Sequence, residues 1–354
     1  MSGALFALLL QIEAYAPPVA ADHVATMVQR DYSNAPDASR TVVYRSGQHM
    51  RSDSQDPFRS EEHYTDLATG RVVSAMRDAH GIMQRVTIGP LFEPARRLPP
   101  TGRRDRVLGE SCNVWRVVRE RIGSHSEICE TSDGILLQEA FWYPPGDRTV
   151  DYRRATAIER RPVRPEEVLP PRNLLALAFE SPVPTAAAEP DYEVEFIGDD
   201  PADGSRIQRR HGSFSSREIR ERGQHSLELN NGAVRVSYSE TEAGLPVSMQ
   251  IIRAGYGPRR GRVFLWENVP GRAPERLLGE TCVWQENVAI RGTDQFYECR
   301  TADGIPLKTE TNFDWAGLQR FTARRLSRRP LRDTDFAPPA RALDWATWGI
   351  TPAP

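Results

Sequence analysis

Histidine is the side chain most often recruited for acid–base or ligand work near neutral pH, and two of the seven in this chain occur in matching contexts. His49 and His225 each close a Gly-Gln-His stretch, Gly47-Gln48-His49 and Gly223-Gln224-His225. A ligand contact is one reading; a turn feeding a strand is the plainer one, since glycine supplies the backbone conformation a tight turn needs. Trp115 and Trp284 follow two similar cysteine stretches and form a second pair, which either lines an apolar cleft or packs beside a disulfide. These four residues are the candidate ligand contacts. His23, His63, His80, His125 and His211 have polar surroundings and no metal-ligand spacing, so they read as surface residues and no metal site is expected.

Other chemistry is sparse. The sequence contains no Gly-x-Ser-x-Gly elbow, His-Glu-x-x-His helix, phosphate loop or dinucleotide fingerprint, so no catalytic residue and no cofactor is assigned. Lys308 is the only lysine, and Pro306-Leu307-Lys308-Thr309 has neither a glycine-rich loop nor a flanking base. The carboxylate pairs Glu61-Glu62, Glu166-Glu167 and Asp199-Asp200 are adjacent, and adjacent residues on a strand leave opposite faces. Arginine clusters at Arg259-Arg260-Gly261-Arg262 and around Arg324 to Arg329 suit an anionic headgroup or an acidic partner, although solvated loops explain them as well.

The four cysteines are more informative. Cys112 to Cys129 and Cys282 to Cys299 span equal intervals, and of the three possible pairings only the local one treats both intervals alike. Two structural disulfides are expected, each worth about 3 kcal/mol through closure of its loop. Zinc and redox sites would need close Cys-x-x-Cys pairs, which are absent.

The elements around these residues repeat. Leu108-Gly109-Glu110-Ser111-Cys112 returns as Leu278-Gly279-Glu280-Thr281-Cys282, and Asp133-Gly134-Ile135 returns as Asp303-Gly304-Ile305. Arg161-Pro162 and Pro170-Pro171 match Arg329-Pro330 and Pro338-Pro339 in the same order. The expected organisation is one unit over 24–180 and a second over 191–350, joined by a proline-rich linker at 181–190. Alternation at Tyr192–Phe196, Ser226–Leu229, Ala233–Tyr238 and Val247–Ile251 predicts strands, with a hairpin turn at Asn230-Asn231-Gly232. Asp66 to Gly70 reads as a turn into Arg71, and the cysteine segments as a hairpin turning near Gly123 and Gly292. Short helices are expected at Pro171–Phe179 and Pro339–Trp345. The fold class is therefore mainly β: two tandem antiparallel-sheet, half-barrel-like units, each with a short C-terminal helix and one internal disulfide.

With 354 residues, 39% of them hydrophobic, the chain is long enough for two cores, and a formal net charge of -2 argues against nucleic acid. The apolar run Ala4–Leu10 and the small residues Val19-Ala20-Ala21 predict a signal peptide over 1–21. No other stretch approaches the length of a membrane-spanning helix. Export and disulfides agree, because stable disulfides belong to oxidising compartments; a periplasmic or secreted location is expected.

The turn-and-strand stretch Tyr44 to Ser52, the two Leu-Gly-Glu-x-Cys stretches and the turns at Asp133 and Asp303 resemble the periplasmic lipoprotein-carrier and lipid-carrier families with half-barrel folds, and the envelope-stress sensors that reuse that fold. The resemblance implies a curved sheet whose concave apolar face holds an acyl chain, without catalysis. The long N-terminal helix and lipid-anchor cysteine of such carriers are missing, and no family residue maps onto a numbered position. The leading expectation is an exported non-catalytic binding module for a lipid, another hydrophobic ligand or an envelope partner. The alternatives are a structural or protein-interaction module, then a hydrolase with a dispersed site.

Overall fold

The computed structural model describes residues 20–31, 39–90, 96–119, 124–142, 149–178, 190–200, 203–253, 266–288, 295–313 and 317–354. Nearly all of the signal segment, the linker over 181–189, and Gly123 and Gly292 fall outside them. The first half contains β1 (His23–Asp31), β2 (Arg40–Ser46), β3 (His49–Gln55), β4 (Arg59–Asp66), β5 (Arg71–Asp78), β6 (Met83–Pro90), β7 (Arg96–Arg97), β8 (Arg104–Val107), β9 (Glu110–Arg119), β10 (Ser124–Glu130), β11 (Leu136–Trp142) and β12 (Thr149–Glu159). The second contains β13 (Tyr192–Gly198), β14 (Ser205–His211), β15 (Phe214–Glu221), β16 (Gln224–Asn230), β17 (Val234–Thr241), β18 (Pro246–Arg253), β19 (Trp266–Asn268), β20 (Glu275–Leu277), β21 (Glu280–Asn287), β22 (Gln295–Thr301), β23 (Pro306–Phe313) and β24 (Gly317–Ser327).

These strands form one open antiparallel sheet. Pairing runs β9-β10-β11-β12-β1-β2-β3-β4-β5-β6 through the first half. It crosses from β6 to β18 and continues β17-β16-β15-β14-β13-β24-β23-β22-β21. The order thus repeats in mirror sequence about the β6–β18 pair, and short strands flank β9 and β21 at the two ends. The two halves share one sheet and do not pack as separate bodies.

The local reasons are visible in the hairpins. Burial alternates along β17, with Val234, Val236 and Tyr238 in and Arg235 and Ser237 out. The turn before β17 is closed by the Asn231 side chain, which accepts from the Ala233 and Val234 amides at 3.1 and 2.9 Å. Leu108-Gly109 and Leu278-Gly279 adopt the same left-handed pair of conformations, with φ of 54° and 80° in one and 52° and 83° in the other. Such a turn matches the twist of the strands it joins.

Both disulfides form as expected, with Cα–Cα distances of 5.3 and 5.2 Å. A three-way clamp stands beside each. Arg160 donates to both oxygens of Glu110 at 2.6 Å and to Asp133 at 2.9 Å, and Arg328 donates to Glu280 at 2.7 Å and Asp303 at 3.2 Å. Thr131 and Thr301 each accept the amide of the isoleucine four residues on at 2.9 Å, which fixes the Asp-Gly-Ile turns.

The helical expectation holds only in outline. The first half has α1 (Pro165–Val168) and α2 (Leu174–Ala178), whereas the second has single 3-10 turns at Asp333–Phe336, Ala340–Leu343 and Trp345–Trp348. Asp344 caps the last of these by accepting from the Ala346 amide at 3.1 Å, so the segment restarts instead of extending. The C-terminal segment crosses to the first half, where the Trp345 indole donates to Arg172 O at 2.9 Å and the Ala353 amide to Pro170 O at 2.9 Å. No helix among the described residues is long and apolar enough to cross a membrane, which says nothing about strands.

Candidate functional site

Two adjacent rows of side chains cross the joint between the halves. In an antiparallel pair, directly opposed residues share a face. The row Tyr64, Val73, Ile88, Met249 and Tyr238 is apolar or aromatic throughout. It is buried under Leu174 and Leu175 of α2 and under Trp345 and Trp348, so this face is a filled core. One residue along each strand, on the other face, lies Ser52, His63, Ser74 and Thr87, continuing as Gln250, Ser237, Glu228 and Arg217. This second row is polar from end to end.

The sheet curls over the polar face. Arg153 on β12 acts electrostatically on His63, four strands away, and Glu298 on β22 interacts with Arg210 and Arg217 on β14 and β15. Strands about 4.8 Å apart would hold these groups much farther from one another in a flat sheet. The polar rows therefore form the floor of a concave surface in each half.

In the first half the floor carries a small constellation. His63 Nδ1 lies 2.8 Å from Ser74 Oγ, while its Nε2 is 3.8 Å from Glu61, which instead accepts from Arg85 at 3.1 Å. Burial pushes the His63 ring down, partly offset by Glu61, so a neutral ring can accept the serine proton. Among the described residues no acceptor lies at hydrogen-bond distance on Nε2 to orient the ring, as the third member of a nucleophilic triad would. In the second half the floor is richer in arginine. Burial pushes the Glu298 carboxyl up against the opposing charge of Arg300, which donates to it at 3.0 Å. Among the described residues no group of three or more His, Cys, Asp or Glu is placed to hold a metal ion.

None of the four sequence candidates falls in this floor row. His49 opens β3 and lines a cleft with Asp66, Arg71, Pro170 and Ile350 that holds ≈ 20 Å³, room for about one water. His225 lies in β16 on the opposite face from the floor, with Nδ1 2.9 Å from Glu240 and Nε2 3.0 Å from Glu218. Burial pushes the Glu240 carboxyl up, but hydrogen bonds from His225 and Tyr238 and the charge of Arg341 hold it below its usual range. The two histidines are not equivalent: His49 follows the β2–β3 turn and His225 the β15–β16 turn. Both turns need a left-handed glycine, Gly47 at φ 54° and Gly223 at φ 77°, and that shared turn chemistry produced the sequence match.

The tryptophans are offset by one residue. Trp284 stands opposite Cys299, where the first half has Val114 opposite Cys129. Trp115 is the next residue, so it points to the other face of the pleat and remains half-buried while Trp284 is 1% exposed. The Trp284 indole donates to Glu275 at 2.9 Å and Arg272 lies 3.6 Å above its ring, so it is packed core and not a cleft wall. His23 is buried instead of surface-exposed, with Nδ1 2.7 Å from Ala21 O. The floor residues escaped sequence reading because each comes from a different strand; the alternating Ser52/Ser54 and Ser237/Ser239 were the available signal.

No protein-family model and no curated protein matches the chain. Among solved structures, MucB in complex with periplasmic MucA is similar at 13% identity and a TM-score of 0.26, covering 87% of this chain and 89% of that one. The Pseudomonas aeruginosa MucA/MucB complex gives 13% and 0.27, over 88% and 89% of the two chains. PNGF-II gives 9% and 0.29 over 68% of this chain and 65% of its own. Likeness of that degree fixes neither fold nor activity.

Proposed function

We propose that the protein is an exported, non-catalytic docking module, periplasmic or secreted, that takes an extracytoplasmic segment of an envelope protein on its polar floor. The observation that carries this reading is the contrast between the two rows at the joint: the apolar row is sealed by the chain's own helical segments, whereas the row on the concave face is serine, threonine, glutamine and charged, with apolar Val194 and Phe196 on that face only farther out, buried on β13. An acyl chain gains nothing from such a floor, because polar groups covered by hydrocarbon lose their hydrogen bonds to water. Two formed disulfides support an oxidising compartment.

Native mass spectrometry of the exported, unreduced protein should give the unliganded mass before and after mild unfolding. A photo-crosslinking residue placed at Ser237 should capture one protein that, once purified, binds the intact chain; the same residue at Arg276 should not. Release of a lipid on unfolding, or equal capture from both positions, overturns the proposal.

A further inference from the structure

Arg206 on β14 is directly opposed to Phe196 and Ile219, with Arg217 diagonally adjacent on β15 and Gln208 two residues along, all on the concave face. Its guanidinium lies 3.4 Å above the Phe321 ring, and its Nε is buried without a hydrogen-bond partner. Among the described residues no carboxylate is within ion-pair distance of it. Burial pushes this arginine down to about 10, and the like charge of Arg217 adds to the shift. Among the described residues Arg217 makes one ion pair, with Glu228 at 3.7 Å, where both side chains are well exposed, and it also acts on Glu298 at longer range. Glu221, Asp203 and Glu228 offset part of the shift at Arg206 from beyond ion-pair distance; a buried cation compensated only in part costs stability, which an arriving anion would recover.

The rest of the floor says what kind of anion. Gln208, Gln250 and Ser237 carry amide and hydroxyl groups that both donate and accept, as a peptide backbone requires. We propose that the second half docks an acidic peptide segment, with one carboxylate seated on Arg206 and a neighbouring one drawn to Arg217. The inference rests on the docking reading of the same face and names the chemistry of the partner. Arginine suits the role because its planar fork, already fixed by stacking on Phe321, binds a carboxylate through two parallel hydrogen bonds.

The test uses the intact protein and three fluorescein-labelled octapeptides, rich in glutamate, in glutamine and in lysine. The glutamate peptide should bind in low salt and weaken as salt rises, and the other two should not bind. Arg206→Met should weaken binding at least about tenfold, and Arg276→Met, at an exposed position on β20, should leave it unchanged. Arg206→Met keeps the stacking volume over Phe321 while removing the stranded charge, so its melting temperature should rise by about 2–4 °C. Unchanged peptide binding by Arg206→Met, equal binding of the glutamine peptide, or a lowered melting temperature overturns the inference. Should that variant fail to fold, Arg217→Gln at its more exposed position decides the binding question by the same criterion. A crosslinked floor partner alongside refusal of the acidic peptide would sink this inference and leave the docking reading standing, whereas lipid release would remove both.

Discussion

Around its disulfide the first half sets Val114 opposite Cys129, and the second sets Trp284 opposite Cys299, yet the Arg-Glu-Asp clamps beside the two bridges are built from the same groups. The floors diverge in the same manner: Ser52 and His63 in one row position, Arg217 and Glu228 across the joint. The bonds that hold hairpin to hairpin are thus common to both halves, while the packing beside the bridge and the open surface differ. A sheet tolerates this because cross-strand hydrogen bonds fix the register whichever side chains stand on it.

The largest effect should separate the two bridge environments. Trp284 is fully enclosed, so Trp284→Ala should cost about 3–5 kcal/mol, and Val114→Ala about 2 kcal/mol or less. Urea unfolding without reductant measures both. Equal costs would mean that the halves are packed alike despite their different residues, and the comparison would fail at its main point.

A smaller effect should unite them. Arg160→Gln and Arg328→Gln each remove one clamp whose groups are about a third or more exposed, so each should cost only about 1 kcal/mol after solvent screening. The two costs should agree closely. Hydrogen bonding from Arg160 holds the Asp133 carboxyl down to about 2, and Asp303 is likewise below its usual range, where bonds from Thr301 and Arg328 outweigh burial. A carboxylate depressed in this way contributes stability above its unfolded value of about 3.9, and that contribution is lost as pH falls through the folded value. Acid unfolding between pH 4 and 2 should therefore shift to lower pH in the native protein than in either variant.

What could be read in advance follows from distance along the chain. The paired disulfides, the Leu-Gly and Asp-Gly-Ile turns and the β16–β17 hairpin are local, and their chemistry stands in a few consecutive residues. The argument from adjacent carboxylates held at Glu61-Glu62, where Glu61 turns to Arg85 on the floor and Glu62 accepts from Tyr64 at 2.9 Å on the other face, whereas Glu166 and Glu167 lie in α1 and not on a strand. The floor could not be read, because its row draws one residue from each of many strands and depends on the β6–β18 pairing. Where matching failed it failed by a small step, one residue at Trp115 and one hairpin at His225. In a period-two structure, one residue exchanges core for surface.

The smallest effect probes the floor of the first half by itself. Burial holds the His63 ring below its usual value, so folding favours the neutral form. A histidine depressed in the folded state contributes stability that is present above the unfolded value of about 6.5 and lost as pH falls through the folded one. His63→Gln retains a hydrogen bond to Ser74 and should flatten the fall in stability below pH 6.5. A residual slope should remain from His23, which burial also pushes down. The matching change at Glu228→Gln, across the joint, should leave that slope as it is. If His63→Gln leaves the slope unaltered as well, the ring is already solvated, the curl that brings Arg153 toward β4 is looser than described, and the two floors differ in composition without differing in environment.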